Sequence, residues 1–133
     1  MRYSIFLFLL LVACSTKENT KASQDAINES LAPQAFKSKI EATPDGVVLD
    51  VRTPEELAQG VISGAKVIDF KGSDFEQQIE TLDKTKPYFV YCASGGRSGK
   101  AATMMTEKGF KQVYSLEGGT TAWKEQGLEL VNP

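Results

Sequence analysis

Apolar and polar positions alternate in blocks along the 133 residues of this chain. Val47-Val48-Leu49-Asp50-Val51 is a short apolar run of the kind a strand covered on both faces requires, polar only near its end. Lys66-Val67-Ile68, Tyr88-Phe89-Val90-Tyr91 and Val113-Tyr114-Ser115-Leu116 predict further strands. Helical patterns lie between them. Pro33 to Ile40 carries Phe36 and Ile40 at i,i+4. After the Asp45-Gly46 turn and the first strand, Thr53-Pro54-Glu55-Glu56 has an N-cap, a first-position proline and a third-position glutamate, which together predict a capping box, and Gly60 ends that helix. Ser73 and Glu76 suggest a second box, with Phe75, Ile79 and Leu82 on one face and Lys86-Pro87 closing the helix. Ser98 to Lys108 would turn Ala101, Ala102 and Met105 to the sheet, with Met104 as core filling, before Gly109 stops it. Gly118-Gly119 turns into a last short helix anchored by Trp123. Such alternation predicts an α/β domain with a central, mostly parallel sheet of about five short strands flanked by helices. No internal repeat or second domain is visible.

The first 14 residues read differently. Arg2 precedes the unbroken run Ile5 to Val12, far short of the ~20 residues a spanning helix needs, so residues 1–13 are expected to be a secretory signal. Leu11-Val12-Ala13-Cys14 resembles a bacterial lipobox, which implies cleavage before Cys14 and lipid on its sulfur. Several acyl chains would hold a soluble domain on a membrane. Ser15, following the lipidated cysteine where no aspartate stands, implies the periplasmic face of the outer membrane in a Gram-negative cell. Residues 14–30 are expected to form the lipidated cysteine and a polar, flexible tether, and residues 31–133 one small domain. The formal net charge is −2, one unit more negative once Arg2 leaves with the leader. No basic stripe stands out, so nucleic acid is not an expected partner. No surface pattern predicts an oligomer, and a monomer is the default expectation.

With Cys14 lipidated, Cys92 has no partner for a disulfide. It ends the apolar run Tyr88 to Tyr91 and is followed by Ala93-Ser94-Gly95-Gly96-Arg97-Ser98, a glycine-rich turn into a helix. That placement aims the thiol at backbone N–H groups and at the positive end of a helix dipole, and both favour the thiolate a nucleophile needs. There is no histidine, which excludes Cys-His and Ser-His-Asp arrangements and removes the commonest metal ligand. No cofactor is expected. A thioredoxin-like exchange lacks a second nearby thiol, and Gly95 to Lys100 lacks Walker spacing.

Four residues separate Cys92 from Arg97. Tyrosine phosphatases and low-molecular-weight arsenate reductases use a longer loop, with one more residue, to surround a tetrahedral anion. They also need a general acid, for which only Asp69 and Asp74 are formally available. The shorter loop suits the terminal sulfur of a cysteine persulfide.

Leu49-Asp50-Val51-Arg52-Thr53-Pro54-Glu55-Glu56-Leu57 with Gly60-Val61-Ile62-Ser63-Gly64-Ala65 resembles the first signature of the rhodanese-like family. Tyr91 to Ser98 resembles its catalytic loop, and Leu116-Glu117-Gly118-Gly119-Thr120-Thr121-Ala122-Trp123 its closing motif. The resemblance implies a three-layer rhodanese-like fold. It also implies sulfur transfer through a Cys92 persulfide, from thiosulfate or a persulfide donor, small or protein-borne, to cyanide or a thiol. Backbone N–H groups of residues 93–98 would hold the anionic sulfur, helped by the Ser94 and Ser98 hydroxyls. Arg97 would steady the loop or pair with Asp50 or Glu56, and Asp50, Arg52 and Glu56 would support the pocket. Two positions depart from the family pattern. Val61 stands where histidine is usual, and Ala93 where many members carry a basic side chain, which puts thiosulfate in doubt as donor. The family also contains binding modules without activity, but these typically lack the cysteine.

Overall fold

A computed structural model of the chain describes residues 25–133. The expected signal, Cys14 and most of the expected tether lie outside the described residues. The element order is β1 (Ile27–Leu31), α1 (Pro33–Glu41), β2 (Val47–Asp50), a 3₁₀ helix (Pro54–Gln59), β3 (Lys66–Val67), α2 (Phe75–Glu80), β4 (Pro87–Tyr91), α3 (Gly96–Glu107), β5 (Gln112–Leu116) and α4 (Gly119–Glu125). The five strands form one sheet in the order β1-β5-β4-β2-β3, and every pairing is parallel. Leu49 lies opposite Val90, and Val90 opposite Ser115.

Side chains on successive strand residues point to opposite faces, so β4 feeds two cores. Tyr88, Val90 and Cys92 pack with Phe75 and Ile79 of α2 and with Ala101, Ala102 and Met105 of α3. Phe89 and Tyr91 pack on the other face with Phe36 of α1 and Trp123 of α4. Three layers follow, as the α/β reading expects. Trp123 is the anticipated anchor: its ring meets Phe36 edge-on at 6.4 Å, and its Nε1–H donates to the Glu129 carbonyl at 3.0 Å. Beyond α4, Val61 and Val131 exchange backbone hydrogen bonds of 2.8 Å, so the end of the chain straps down the segment after the 3₁₀ helix.

Several boundaries differ from expectation. The sheet takes in residues before 31, because Ile27–Leu31 is an edge strand against β5. Its first four residues are exposed, so no apolar face marked it as a strand. The Ser73–Glu76 box does not form. Asp74 occupies the N-cap of α2 without a side-chain cap bond, and the helix ends at Glu80, well before Lys86-Pro87. α3 opens at Gly96, because the turn itself supplies the first helical residues. β2 stays buried through its polar end: Asp50, like Leu49, has no exposed surface.

That burial is possible because Arg52, 1 % exposed, folds back onto Asp50. Its Nε donates to Asp50 Oδ1 at 3.0 Å and its Nη2 to Oδ2 at 2.8 Å. The Arg52 backbone N–H adds a bond to Oδ1 at 3.0 Å. The guanidinium also reaches the carbonyls of Gly60 (2.6 Å) and Glu56 (3.3 Å), and lies over the Tyr91 ring at 5.5 Å. It thereby fixes the 3₁₀ helix to the end of β2. Removing one partner of a buried pair leaves an uncompensated charge, at a cost of ~3–5 kcal/mol. Arg52→Met is therefore expected to lower the urea midpoint by that equivalent; a shift as small as an exposed ion pair gives, under ~1 kcal/mol, would contradict this role.

Candidate active site

The carboxyl ends of β2 and β4 lie side by side where the chain order reverses across the sheet, which is where open parallel sheets form ligand crevices. Asp50 closes one strand, and Cys92 follows the other. Cys92 is a free, fully buried cysteine. Its sulfur accepts the Gly95 N–H at 3.1 Å and lies 3.5 Å from the Ser98 hydroxyl. Burial opposes ionisation and is the largest single influence on this thiol. The Ser98 hydroxyl and the N–H groups of Ser98, Ser94 and Gly95 together outweigh it and hold the thiol below its ordinary range. The dipole of the twelve-residue α3 acts in the same direction.

Two glycines make this cradle possible. Gly95 has φ +99°, which a side chain would resist, and a Cβ there would lie 3.1 Å from the Gly118 nitrogen. Gly119 approaches the loop so closely that a Cβ would lie 2.4–2.5 Å from the Ala93 carbonyl and the Cys92 oxygen. The start of α4 then donates to the loop from outside: Thr120 N–H to the Cys92 carbonyl at 2.9 Å and Thr121 N–H to the Ala93 carbonyl at 3.1 Å. With those carbonyls turned outward, the neighbouring N–H groups remain free to face the sulfur. Sequence reasoning read Gly118-Gly119 as a turn and missed this docking. The glycine pair was its only local signal.

Of the expected supporting residues, Glu56 is the one that meets Arg97. The two guanidinium nitrogens donate to the two carboxylate oxygens at 2.8 and 2.7 Å. Glu56 also accepts the Thr53 N–H (2.8 Å) and hydroxyl (2.9 Å), completing the expected capping box at the 3₁₀ helix. The Arg97 bond, aided by these Thr53 bonds and working against burial, lowers the Glu56 carboxyl to about 2. Asp50 is committed to Arg52 and does not reach Arg97. Arg97 therefore braces the loop, with its charge compensated. Ser94 is exposed and Ala93 half-buried, and neither brings a cation to the mouth. Asp69 is close enough to add to the cationic preference of Arg97, and its carboxylate accepts the Lys71 N–H at 2.8 Å, whereas Asp74 is exposed at the start of α2. Among the described residues no group of His, Cys, Asp and Glu could hold a metal ion.

Two outcomes follow. Ser98→Ala removes the hydroxyl beside the sulfur, so the pH midpoint for Cys92 alkylation should rise toward that of a free thiol; an unchanged midpoint would remove Ser98 from the cradle. Glu56 has a folded pKa below its unfolded one. Its stabilisation is complete above about 4.5 and is lost as pH falls toward 2. Glu56→Gln should therefore be less stable than the parent at neutral pH, with the gap closing near pH 2; a gap independent of pH would contradict the pairing.

Comparison with known proteins places this geometry. The sequence model of the rhodanese-like domain matches residues 32–126. YtwF of Bacillus subtilis is 40% identical over 96 residues, covering 72% of this chain and 90% of that protein. A sulfurtransferase of Allochromatium vinosum is 31% identical over 107 residues, covering 80% and 97%. A tRNA uridine(34) hydroxylase of Cytophaga hutchinsonii is 39% identical over 103 residues, but the match spans only 33% of that longer protein. Among solved structures, a rhodanese-related protein of Thermoplasma volcanium superposes with a TM-score of 0.70 at 30% identity, covering 79% of this chain and 99% of that one. The polysulfide-sulfur transferase homodimer of Wolinella succinogenes gives a TM-score of 0.66 at 31% identity, covering 84% and 82%. A parallel five-stranded sheet, a cysteine cradle at its switch point and a family match across most of the chain agree: this protein belongs to the rhodanese-like domain family.

Proposed function

We propose that this chain is a sulfurtransferase that carries sulfane sulfur as a persulfide on Cys92. The observation that carries the reading is the buried Cys92 sulfur, which accepts the Gly95 N–H at 3.1 Å, is faced by the Ser94 and Ser98 N–H groups, and lies 3.5 Å from the Ser98 hydroxyl. Such donors stabilise an anionic sulfur before attack and the terminal sulfur of the persulfide after it. In the first half-reaction the Cys92 thiolate attacks the sulfane sulfur of the donor. A sulfur–sulfur bond forms at Cys92, the donor's own bond breaks, and its electron pair leaves on sulfite or a thiolate. In the second, a thiophilic acceptor such as cyanide or a thiol takes the outer sulfur and Cys92 returns as thiolate.

The loop favours sulfur over a tetrahedral oxyanion. Both terminal nitrogens of Arg97 are engaged by Glu56, so no guanidinium is free to clamp two oxygens of a phosphate or arsenate. Ala93 and the compensated Arg97 also leave the loop itself, residues 93–98, without a free cation to draw in thiosulfate. This supports polysulfide or an organic persulfide as the better donor, and the likeness to a polysulfide-sulfur transferase points the same way. Retention of a polarised Cys92 speaks against a module that only binds. The enzyme would be exported and monomeric, held at a membrane surface by lipid on Cys14 with the intervening residues as tether, and would act on sulfur compounds rather than nucleic acid.

Incubation with thiosulfate or polysulfide, followed by cyanide, should yield thiocyanate. Intact mass should show one added sulfur that cyanide removes, and Cys92→Ser should abolish both. Absence of product and adduct with either donor would refute the reading. Gly119→Ala, which must push the Cys92–Ala93 carbonyls aside, should lower kcat/KM at least ~10-fold, equivalent to ~1.4 kcal/mol of transition-state stabilisation. Unchanged turnover would show that docking of α4 does not shape the loop.

A further inference from the structure

Beyond β3 the chain keeps to the sheet for a few residues more. The Ile68 N–H donates to the Asp50 carbonyl at 2.9 Å, and the Phe70 N–H to the Val51 carbonyl at 3.1 Å. Asp69, between them, is thereby held beside the carboxyl end of β2. Asp50 pairs with Tyr91, the residue before Cys92, so Asp69 stands at the same end of the sheet as the nucleophile. A tight turn then fixes its half-buried carboxylate. The Lys71 N–H donates to Asp69 Oδ1 at 2.8 Å, and the Gly72 N–H to the Asp69 carbonyl at 3.0 Å. Both bonds come from backbone, and among the described residues Asp69 forms no ion pair.

Such a carboxylate changes the charge balance of the mouth. Glu56 already engages both terminal nitrogens of Arg97, at 2.8 and 2.7 Å. The negative groups that act further on this guanidinium are the Cys92 sulfur and Asp69. One fixed cation thus stands between two fixed carboxylates, and the surroundings of the nucleophile are net negative before the thiol ionises. Lys71 and Lys100, the lysines closest in sequence to Asp69 and to the loop, are exposed, where charge is screened within ~10 Å at 0.1 M salt. An anion that approaches a cleft of its own sign is repelled in proportion to the charge it carries.

We propose that Asp69 is a specificity-determining residue for the sulfur donor: its carboxylate turns away dianions such as thiosulfate and leaves the mouth to singly charged or neutral carriers of sulfane sulfur. The assignment rests on the sulfur-transfer reading. It adds a repulsive element to the cation that Ala93 does not supply, and discrimination between substrates often needs both. Thiosulfate and methanethiosulfonate isolate the effect. A methyl group in the second replaces one oxyanion of the first, so the two are nearly alike in shape and differ by one charge. In each case the Cys92 thiolate bonds to the sulfane sulfur and the donor's own bond to that sulfur breaks. The electron pair leaves on sulfite from thiosulfate, or on methanesulfinate from methanethiosulfonate.

Asp69→Asn removes the charge and keeps the oxygen that accepts the Lys71 N–H, so the turn should survive. With Cys14→Ser in both the parent and the variant, Cys92 is the one thiol of the sequence. The ratio of kcat/KM for thiosulfate to that for methanethiosulfonate should rise at least ~3-fold in Asp69→Asn. Added salt should raise the same ratio in the parent, and raise it less in the variant. Alkylation of Cys92 reads the charge without sulfur transfer. Iodoacetate and iodoacetamide are nearly alike in shape and differ by one negative charge, and the ratio of their rates cancels any change in the amount of thiolate. That ratio should rise at least ~2-fold in Asp69→Asn. An unchanged alkylation ratio would overturn the role of Asp69. So would an unchanged donor ratio while both donors turn over. If neither donor transfers sulfur while the alkylation ratio rises, the sulfur-transfer reading fails and the discrimination by charge stands.

Discussion

The proposed chemistry asks a sulfur atom with no exposed surface to carry negative charge without an uncompensated cation beside it, and much of the neighbouring structure suits that constraint. Burial alone would keep the Cys92 thiol protonated. The answer is directional: N–H groups of the loop and one hydroxyl converge on the sulfur, while the Cys92 and Ala93 carbonyls are turned outward onto the start of α4. Donors fixed in advance stabilise charge without reorganising when it appears. Two glycines permit the arrangement, one by its backbone conformation and one by yielding space to the loop.

The loop is braced from its other side by two ion pairs in series. Asp50 and Arg52, both buried, fix the 3₁₀ helix through the Gly60 and Glu56 carbonyls. Glu56 on that helix then holds Arg97 at the start of α3. The terminal strap at Val131 secures the same segment through Val61. Sequence signatures far apart in the chain are thus joined in one chain of contacts, from the end of β2 to the cysteine cradle. The consequence for chemistry is that Arg97 positions the loop and has little charge left for an anionic substrate.

Much of this was legible in the residues. The buried strands were plain because parallel strands covered on both faces read as unbroken apolar runs, as in Val47 to Leu49 and Tyr88 to Tyr91. The capping box at Thr53 and Glu56 was legible because it is a local interaction between residues three apart. The cysteine loop declared itself through Cys92 and its glycines. What could not be read was either exposed or long-range. β1 has an exposed face and therefore no apolar signature. The choice of Glu56 over Asp50 as partner of Arg97 depends on where Arg52 folds, and the docking of Gly119 on Ala93 joins segments that no short-range pattern links. The Ser73–Glu76 pattern shows the converse, a local signal that the surrounding turn did not use.

The claim that fixed dipoles rather than a cation hold the thiolate can be tested by titrating Cys92 through its ultraviolet thiolate absorbance at low and high salt. Exposed charge–charge attraction is screened within ~10 Å at 0.1 M salt, whereas short hydrogen bonds at a buried atom are not. The account predicts a pKa below the ordinary thiol value that hardly moves with ionic strength. A pKa at or above that value, or one that climbs to it as salt is added, would contradict it.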